Sequence, residues 1–335
     1  MPEKISIHEI GLVIQGPIQS TGRVLTDLSQ RKYDATNDVS RMLEVAEKMG
    51  LRSTVVTWQN QDTSKFASKH SNLIQKIEYP PASIFTAFKN DWNNNSKYRQ
   101  YYSTLLGVSK LKHQGCNYVI KVRTDNYTEL TYLIAYLQTL SVQEASKYFY
   151  VPLINIDKPH MFYDFYGFAA TETFYDFCQA ILYEKEITTN IHFDVFYRWT
   201  KRIAHQKRST KDFRIFYPKY PFFTRDQLDF IRYGLDQAFR PLPVKVWTNL
   251  TWRGEKFGEK GIKDQYRFSE TSPEKILKDF DAYPFKITRK LNINFPSTPS
   301  YFFTSRIEVH LVNLNSKLKG LVRRILNLLR KILNR

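Results

Sequence analysis

The sequence predicts an α/β fold with a mostly parallel sheet flanked by helices, and two observations carry this prediction. The first is the succession of a strand, a helix and a strand at residues 10–15, 37–50 and 51–58, because a helical crossover joins parallel strands. The second is a helical run at residues 97–114 that leads into a β-branched strand after Gly115. A chain of 335 residues, 42% of them hydrophobic, is long enough to bury the core of such a fold.

Local signals predict where these elements end. Gly16 and the proline after it end the first strand, since proline removes a backbone donor, and residues 18–23 are predicted as a loop. Asn37 or Asp38 is the expected N-cap of the first helix, and Gly50 is its expected C-terminal stop.

Further along the chain, the expected elements are a strand at 72–79, a loop up to residue 95, a helix at 129–140, strands at 148–154 and 161–170, and helices at 173–183 and 226–235. Ser96 is the expected cap of the helix that Gly115 ends. Beyond residue 188, aromatic and basic residues interleave with a weak period, and residues 240–304 allow no assignment.

The strand after Gly115 ends on the polar tripeptide Arg123-Thr124-Asp125. In an open α/β sheet, ligands bind outside the carboxyl ends of the strands, so Asp125 is expected at a binding edge. A carboxylate there suits a divalent cation that bridges the phosphates of a nucleotide, because hard cations take oxygen ligands. The tripeptide therefore indicates a nucleotide-sugar site. The alternative is a strand-terminal aspartate that only starts a turn.

A formal net charge of +18 indicates an acidic partner: a phosphorylated substrate, an anionic membrane surface or nucleic acid. Residues 309–335 carry seven basic side chains and no Asp or Glu. Apolar residues in this tail recur at steps of three and four from Leu311 to Ile332, which predicts a basic amphipathic helix. Such a helix lies flat on an anionic leaflet. The alternatives are a coiled-coil seam and a helix docked on the domain.

Cysteine content and hydropathy indicate the compartment. Cys116 and Cys178 cannot form a disulfide framework and lack metal-ligand spacing, so a reducing compartment is expected. The N-terminal residues have no apolar core typical of a signal peptide, and no stretch reaches 18 uninterrupted apolar residues. We therefore expect a cytoplasmic protein, bound peripherally to the inner face of the cytoplasmic membrane.

Four motifs occur in the order Ile14-Gln15-Gly16-Pro17-Ile18, Thr57-Trp58, Arg99-Gln100-x-x-Ser103-Thr104-x-x-Gly107 and Lys121-Val122-Arg123-Thr124-Asp125. A chain with these motifs in this order resembles the WavE lipopolysaccharide synthesis family of bacterial glycosyltransferases. The resemblance is best over residues 8–130. It continues through Asp164-Phe165-Tyr166-Gly167-Phe168 to Asp226-Gln227-Leu228, where the family pattern has Glu-Gln before an aromatic residue.

The resemblance implies a GT-A-like fold, in which the first half of the sheet binds a nucleotide-sugar donor. The donor-site residues that it implies are Gln15, Gly16, Pro17, Thr57, Trp58, Arg99, Lys121, Arg123, Thr124 and Asp125. Arg123-Thr124-Asp125 then replaces the Asp-x-Asp signature usual in that fold. Either Asp125 holds Mg²⁺ or Mn²⁺ together with diphosphate oxygens and water, or Lys121, Arg123 or Arg99 neutralises the leaving diphosphate instead.

An inverting sugar transfer needs one general base within hydrogen-bonding reach of the acceptor hydroxyl. Asp226 and Asp164 are the candidates, and Asp226 is preferred because it opens a predicted helix after an aromatic-rich loop. Residues 1–140 are thus predicted as the donor half and 141–305 as the acceptor half of one catalytic domain, followed by the membrane-association helix at 306–335.

The predicted function is transfer of a sugar to a lipopolysaccharide, capsule-type or lipid-linked glycan. Two other classes fit the charge, namely a nucleic-acid-binding protein and a non-catalytic membrane scaffold. Against the first, the sequence has no recognisable RNA- or DNA-binding motif, and much of its charge lies on the apolar-faced tail. No nucleic acid partner is therefore expected. The scaffold predicts vesicle binding without donor binding.

Overall fold

A computed structural model of the chain describes residues 3–23, 30–79, 92–152, 154–156, 159, 164, 166–183, 191–207, 222–247, 249–256 and 272–287. The strands within these residues are β1 (Ile10–Gln15), β2 (Gln19–Arg23), β3 (Gln30–Asp34), β4 (Arg52–Trp58), β5 (Ile74–Ile77), β6 (Tyr118–Arg123), β7 (Asn126–Tyr127), β8 (Phe149–Val151), β9 (Tyr166–Ala170), β10 (Phe222–Phe223), β11 (Phe239–Pro241), β12 (Thr251–Trp252), β13 (Glu255–Lys256) and β14 (Lys286–Ile287). The helices are α1 (Thr36–Lys48), α2 (Trp92–His113), α3 (Leu130–Leu137), α4 (Val142–Lys147), α5 (Thr171–Tyr183), α6 (Ile191–Gln206), α7 (Arg225–Gln237), α8 (Val244–Trp247) and α9 (Pro273–Ala282), with 3-10 helices at Ile7–Glu9 and Ser68–Leu73.

The central sheet formed by these residues has seven strands in the order β11-β8-β9-β6-β1-β4-β5. β6, β1, β4 and β5 run parallel to one another, and β11 runs parallel to β8, whereas β9 is antiparallel to both β6 and β8. The predicted mostly parallel α/β sheet is thus confirmed. Strands from both sides of residue 140 join this sheet, and the division into donor and acceptor halves stays a prediction.

Helices cover both faces of the central sheet, so that a separate core lies on each face. The side chains of β1 alternate between these two cores. Val13 belongs to the core beneath α2 and α5, whereas Leu12 and Ile14 belong to the core beneath α1 and α3. The first core is rich in aromatic rings. In it, Phe149 of β8 stacks on Phe177 of α5 with ring centroids 4.1 Å apart.

Two antiparallel ribbons lie outside the central sheet. β2 pairs with β3, and β12 pairs with both β13 and β7. The prediction of a loop at residues 18–23 is therefore wrong. Gln19–Arg23 is polar at almost every position and lacks the alternation that marks a half-buried strand.

Several predicted ends also differ in the first half of the chain. The N-cap of α1 is Ala35 rather than Asn37 or Asp38. Asp34, one residue earlier, accepts hydrogen bonds at Oδ1 from the Thr36 N–H (3.0 Å) and hydroxyl (2.6 Å). Ser96 lies inside α2, which begins earlier than predicted. The predicted strand at 72–79 is shortened to β5, since a 3-10 helix extends to its start.

Some helices, among them α4 and α6, were not predicted from the spacing of apolar residues. The predicted helix at 129–140 is shortened to α3, and a capping box of Ser141 and Glu144 then starts α4. α6 occupies the region of interleaved aromatic and basic residues. Its Asp194 and Arg198 form a buried ion pair, with Oδ2 and Nε 3.0 Å apart, so that a carboxylate and a guanidinium lie among the apolar residues of the core.

The predicted membrane-association helix at 306–335, with its basic segment 309–335, lies outside the described residues. Among the residues that are described, no helix combines the length and the apolarity needed to cross a bilayer. Cys116 and Cys178 are both free thiols in buried positions.

Candidate functional site

Three parallel strands bring predicted donor residues to one edge of the sheet. Gln15, the last residue of β1, pairs in register with Val56 of β4 and Arg123 of β6. Thr57 and Trp58 follow at the end of β4. Because the three strands are parallel, their carboxyl ends lie along the same edge, where ligands of open α/β sheets bind.

The turn after β1 is tied to the end of β6. The Thr124 N–H donates to the carbonyl of Gln15 at 2.9 Å, and the Thr124 hydroxyl donates to the carbonyl of Pro17 at 2.7 Å. Gly16 has a φ of +129°, and a Cβ at this position would lie 2.6 Å from Thr124 Oγ1. Both the backbone conformation and the close approach therefore require glycine.

Replacing Gly16 with alanine is expected to lower the free energy of unfolding by about 2 kcal/mol, because the new methyl group adds a steric clash to backbone strain. Denaturant titration of both proteins measures the difference. Removing the Thr124 side chain in the same background, as in the Gly16→Ala/Thr124→Ala double variant, should relieve the clash. Thr124→Ala alone is its reference, because this change also removes the hydrogen bond to the Pro17 carbonyl. An unchanged midpoint for Gly16→Ala would contradict the assigned geometry.

The Arg99–Gly107 motif lies on α2 and contacts residues at the same edge of the sheet. The Ser103 hydroxyl donates to Gln15 Oε1 at 2.9 Å, and both side chains are buried. Gln100 Nε2 donates to Asp164 Oδ2 at 2.6 Å. The Gln15 side chain is thus engaged within the protein, and Gln100 links α2 to one of the two candidate bases.

Trp58, Tyr79 and Arg99 form a stack next to the end of β5. The Trp58 and Tyr79 ring centroids are 4.7 Å apart at an interplanar angle of 24°, and the Arg99 guanidinium carbon lies 4.5 Å from the Tyr79 centroid. Trp58 is buried, whereas Tyr79 is 45% exposed. The exposed ring of this stack is therefore Tyr79, which no motif marks, and Trp58 supports it.

Asp125 is buried, with only 6% of the residue exposed. Its carboxylate accepts two hydrogen bonds from Arg123, since Nε donates to Oδ1 and Nη2 donates to Oδ2, both at 2.9 Å. Such bidentate pairing is among the strong forms of hydrogen bonding in proteins. Arg123 keeps 24% of its side chain exposed. The strand end thus presents a guanidinium to solvent rather than the carboxylate expected from the sequence.

The β12–β13 hairpin completes the surroundings of Asp125. Trp252 Nε1 donates to Asp125 Oδ2 at 3.2 Å across 127 sequence positions, and Arg253 Nε lies 3.3 Å from the same oxygen. The Arg253 N–H donates to the Asp125 carbonyl at 2.8 Å. Sequence reasoning missed both residues. The feature of the sequence that could have indicated this hairpin is the glycine after Arg253, because glycine is typical of a two-residue hairpin turn.

Asp164 joins this cluster from the segment before β9. Its Oδ1 lies 3.4 Å from Arg123 Nη1, and its backbone carbonyl accepts a hydrogen bond from Lys121 Nζ at 2.6 Å. Lys121 is 4% exposed and borders a cavity of about 10 Å³, which has room for about one water molecule. Lys121 therefore contacts the Asp164 segment and not a ligand the size of a nucleotide.

Lys121, Arg123 and Arg253 outnumber the two carboxylates, so the cluster keeps a net positive charge. Burial raises the pKa of Asp125, but the attraction and hydrogen bonds of Arg123 outweigh it and leave this pKa below its ordinary value. Against burial, Arg123 and Lys121 likewise hold the pKa of Asp164 well below its ordinary value. Burial lowers the pKa of Lys121 to about 8. A carboxylate with a strongly lowered pKa is a weak base, so the geometry favours a positioning role for Asp164.

The donor set around Asp125 does not fit Mg²⁺ or Mn²⁺. Both carboxylate oxygens accept hydrogen bonds from Arg123, and Arg253 adds a second positive group beside Oδ2. A divalent cation would have to displace these guanidinium groups or tolerate their repulsion. Within the described part of the chain, no group of three or more His, Cys, Asp or Glu side chains could hold a metal ion.

Asp226 lies exposed in the first turn of α7. The capping box that starts this helix joins Thr224 to Gln227, the second residue of the Asp226 motif. α7 packs against α6, α9 and β11, whereas the contacts described around Asp125 come from β6, β12 and Asp164. The assignment of Asp226 as general base stays a prediction.

Comparison with known proteins adds one match to this geometry. No curated protein matches the chain. A protein-family model described as WavE lipopolysaccharide synthesis matches residues 10–157, and these residues include all ten predicted donor-site residues. Residues 10–157 are thus similar to the WavE lipopolysaccharide synthesis family, as the order of the motifs predicts.

Proposed function

We propose that the chain is a glycosyltransferase that moves a sugar from a nucleotide-sugar donor to a lipopolysaccharide-type or lipid-linked glycan. The observation that carries the proposal is the alignment of Gln15 and Arg123 at the carboxyl ends of adjacent parallel strands, with Thr57 and Trp58 beside them. This edge is where open α/β sheets bind nucleotides. The lipopolysaccharide synthesis family matched over residues 10–157 supports a glycan acceptor.

In the proposed reaction, the acceptor hydroxyl oxygen attacks the anomeric carbon of the donor sugar, and the bond from that carbon to the diphosphate breaks. Asp226 takes the proton of the hydroxyl, and the configuration at the anomeric carbon inverts. The nucleoside diphosphate leaves with the electron pair of the broken bond. A positive group must therefore offset the charge that develops on the diphosphate.

Arg123 and Arg99 are the groups that we assign to the diphosphate. Both side chains are half-buried, and guanidinium groups bind phosphate oxygens in a bidentate manner. Asp125 and Asp164 hold Arg123 from two sides, and Lys121 holds the Asp164 segment. These three residues thus act through Arg123 and not on the substrate.

The turn at Gly16 and the Tyr79 ring are the surfaces that we assign to the nucleoside. Gly16 is buried, with the Thr124 hydroxyl in the space of a Cβ, so it sets the shape of the turn. The half-buried Pro17 is the residue of this turn that we assign to contact with the ligand. Tyr79 offers a partly exposed aromatic ring for contact with a base, and it is held by Trp58 and Arg99.

A panel of UDP-, GDP- and CMP-sugars, each incubated with the purified chain and a lipopolysaccharide-core acceptor, tests the proposal. Release of the nucleoside phosphate from one donor class, dependent on the acceptor, is the expected result. Parallel reactions with a chelator and with added Mg²⁺ show whether arginine side chains alone neutralise the leaving group. If no donor in the panel is consumed, the proposed activity is wrong.

The basic tail is expected to attach the enzyme to an anionic membrane surface at the cytoplasmic face. Each of its basic side chains near such a surface contributes about 1 kcal/mol of binding free energy. Flotation with anionic vesicles should therefore be lost when the chain is truncated after Glu308, while neutral vesicles bind neither form. If the truncated protein still floats, another part of the chain provides the anchor.

A further inference from the structure

Arg253 occupies a backbone conformation that residues other than glycine rarely adopt. Its φ is +52°, and Gly254 follows with a φ of +78°, so that the two residues turn the chain between β12 and β13. A side chain in this region is kept there only when the surrounding contacts over-determine it. The contacts of Arg253 therefore indicate what the turn holds in place.

Arg253 is held by three neighbours. Its N–H donates to the Asp125 carbonyl at 2.8 Å, its Nε lies 3.3 Å from Asp125 Oδ2, and its guanidinium carbon lies 4.9 Å from the ring centroid of Trp252. The third neighbour is Gly22 of β2, where a Cβ would lie 1.8 Å from Arg253 Nη1. The guanidinium thus fills the space that a side chain at residue 22 would occupy, and it joins both ribbons to Asp125.

Asp125 Oδ2 is the atom through which Arg253 reaches Arg123. This oxygen accepts a hydrogen bond from Arg123 Nη2 at 2.9 Å and another from Trp252 Nε1 at 3.2 Å, with Arg253 Nε also beside it. Contacts from the hairpin side orient the carboxylate. Because Arg123 binds both carboxylate oxygens, the orientation of the carboxylate determines that of the Arg123 guanidinium.

We propose that Arg253 is a positioning residue, which acts through Asp125 to hold Arg123 in the orientation that binds a diphosphate. The inference rests on the proposed function and extends it, because it names the diphosphate of the donor as the ligand of Arg123. It also gives the β12–β13 hairpin, contributed by the second half of the chain, a part in donor binding. The affinity for diphosphate then depends on a residue that does not touch it.

Calorimetry of the full chain with inorganic pyrophosphate, in the presence of a chelator, tests this inference. Arg253→Met removes the guanidinium, whereas Gly22→Ala displaces it sterically and keeps its charge; Gly22 has no positive φ, so alanine adds no backbone strain. Both variants are expected to bind pyrophosphate at least about tenfold more weakly. Without the Arg253 guanidinium beside Asp125 Oδ2, the hydrogen bonds from Arg123 to the pyrophosphate are lost or misaligned. Arg253→Lys should recover part of the affinity, because an ammonium group keeps a positive charge near Oδ2.

Arg232→Met is the matched control, because Arg232 forms an exposed ion pair with Asp281 between α7 and α9. It should bind pyrophosphate as the wild type does. Melting temperatures show whether each variant is folded, and Gly22→Ala and Arg253→Lys decide the question if Arg253→Met does not fold.

Wild-type affinity in the folded variants overturns the inference, even if their melting temperatures fall, because that pattern is the one a purely structural arginine produces. Absence of pyrophosphate binding by the wild type overturns it as well. The proposed function fails differently: pyrophosphate binding depends on Arg253, yet no nucleotide sugar is consumed.

Discussion

Replacing Asp125 with asparagine is expected to abolish sugar transfer and to lower the free energy of unfolding by about 3 kcal/mol. Asparagine keeps the shape of the side chain but removes the negative charge that Arg123 and Arg253 share. One oxygen also becomes an amide nitrogen, which donates hydrogen bonds and repels the N–H groups beside it. Release of nucleoside diphosphate and denaturant titration measure the two effects.

Asp281→Asn provides a matched control for this change. Asp281 also receives several hydrogen bonds from one arginine, Arg232, but the pair is exposed. Exposed ion pairs contribute less than about 1 kcal/mol, so this variant should be active and nearly as stable as the wild type. Full activity of Asp125→Asn would remove Asp125 from the mechanism, and equal stability losses in both variants would contradict the importance of its burial.

The free energy of unfolding is expected to fall steeply as the pH drops below about 4. The pKa values of Asp125 and Asp164 are both lowered in the folded protein, because nearby cations outweigh the effect of burial. A group with a lowered folded pKa stabilises the protein above its unfolded pKa, and this contribution is lost as the pH falls toward the folded pKa. Each carboxylate that stays ionised only in the folded state adds a slope of about 1.4 kcal/mol per pH unit.

Urea titrations between pH 3 and pH 7 measure this dependence. Asp125→Asn should show a shallower slope than the wild type, because the proton linked to Asp125 is no longer taken up. Asp281→Asn should keep nearly the wild-type slope, since an exposed ion pair contributes little to the free energy of unfolding. Parallel curves for the wild type and Asp125→Asn would contradict the lowered pKa of Asp125.

The strands that build the proposed donor edge could be predicted because their residues follow local rules. Ile10–Gln15 is apolar up to its last residue. The strand that ends at Arg123 is rich in valine and isoleucine, and it lies between Gly115, just after α2, and the end of a polar tripeptide. Buried parallel strands have this composition. Their order along the chain was sufficient to predict that Gln15 and Arg123 end at the same edge.

Other parts of the fold could not be predicted, because tertiary contacts decide them. β2 has no apolar face, and it is a strand through pairing with β3. α6 carries Asp194 and Arg198 inside the protein, where each compensates the charge of the other. The contact of Trp252 with Asp125 spans 127 positions, and no local pattern in either segment indicates it.

The candidate site differs from its sequence prediction for the same reason. A single aspartate at a strand end suggests a metal ligand when its neighbours in space are unknown. In the structure, Arg123 and Arg253 surround this carboxylate, which therefore binds two guanidinium groups instead of a metal ion. The chemistry of the strand end thus depends on Arg253, a residue from the part of the sequence that allowed no assignment.

Calorimetry of the wild type and of Arg123→Met with UDP-, GDP- and CMP-sugars, with and without a chelator, tests the central claim most directly. The account predicts that the wild type binds UDP- or GDP-sugars, which carry a diphosphate, that the chelator leaves this affinity unchanged, and that Arg123→Met weakens it at least about tenfold. If the wild type binds none of these donors, or if Arg123→Met binds its donor as tightly as the wild type does, this edge of the sheet is not the donor site.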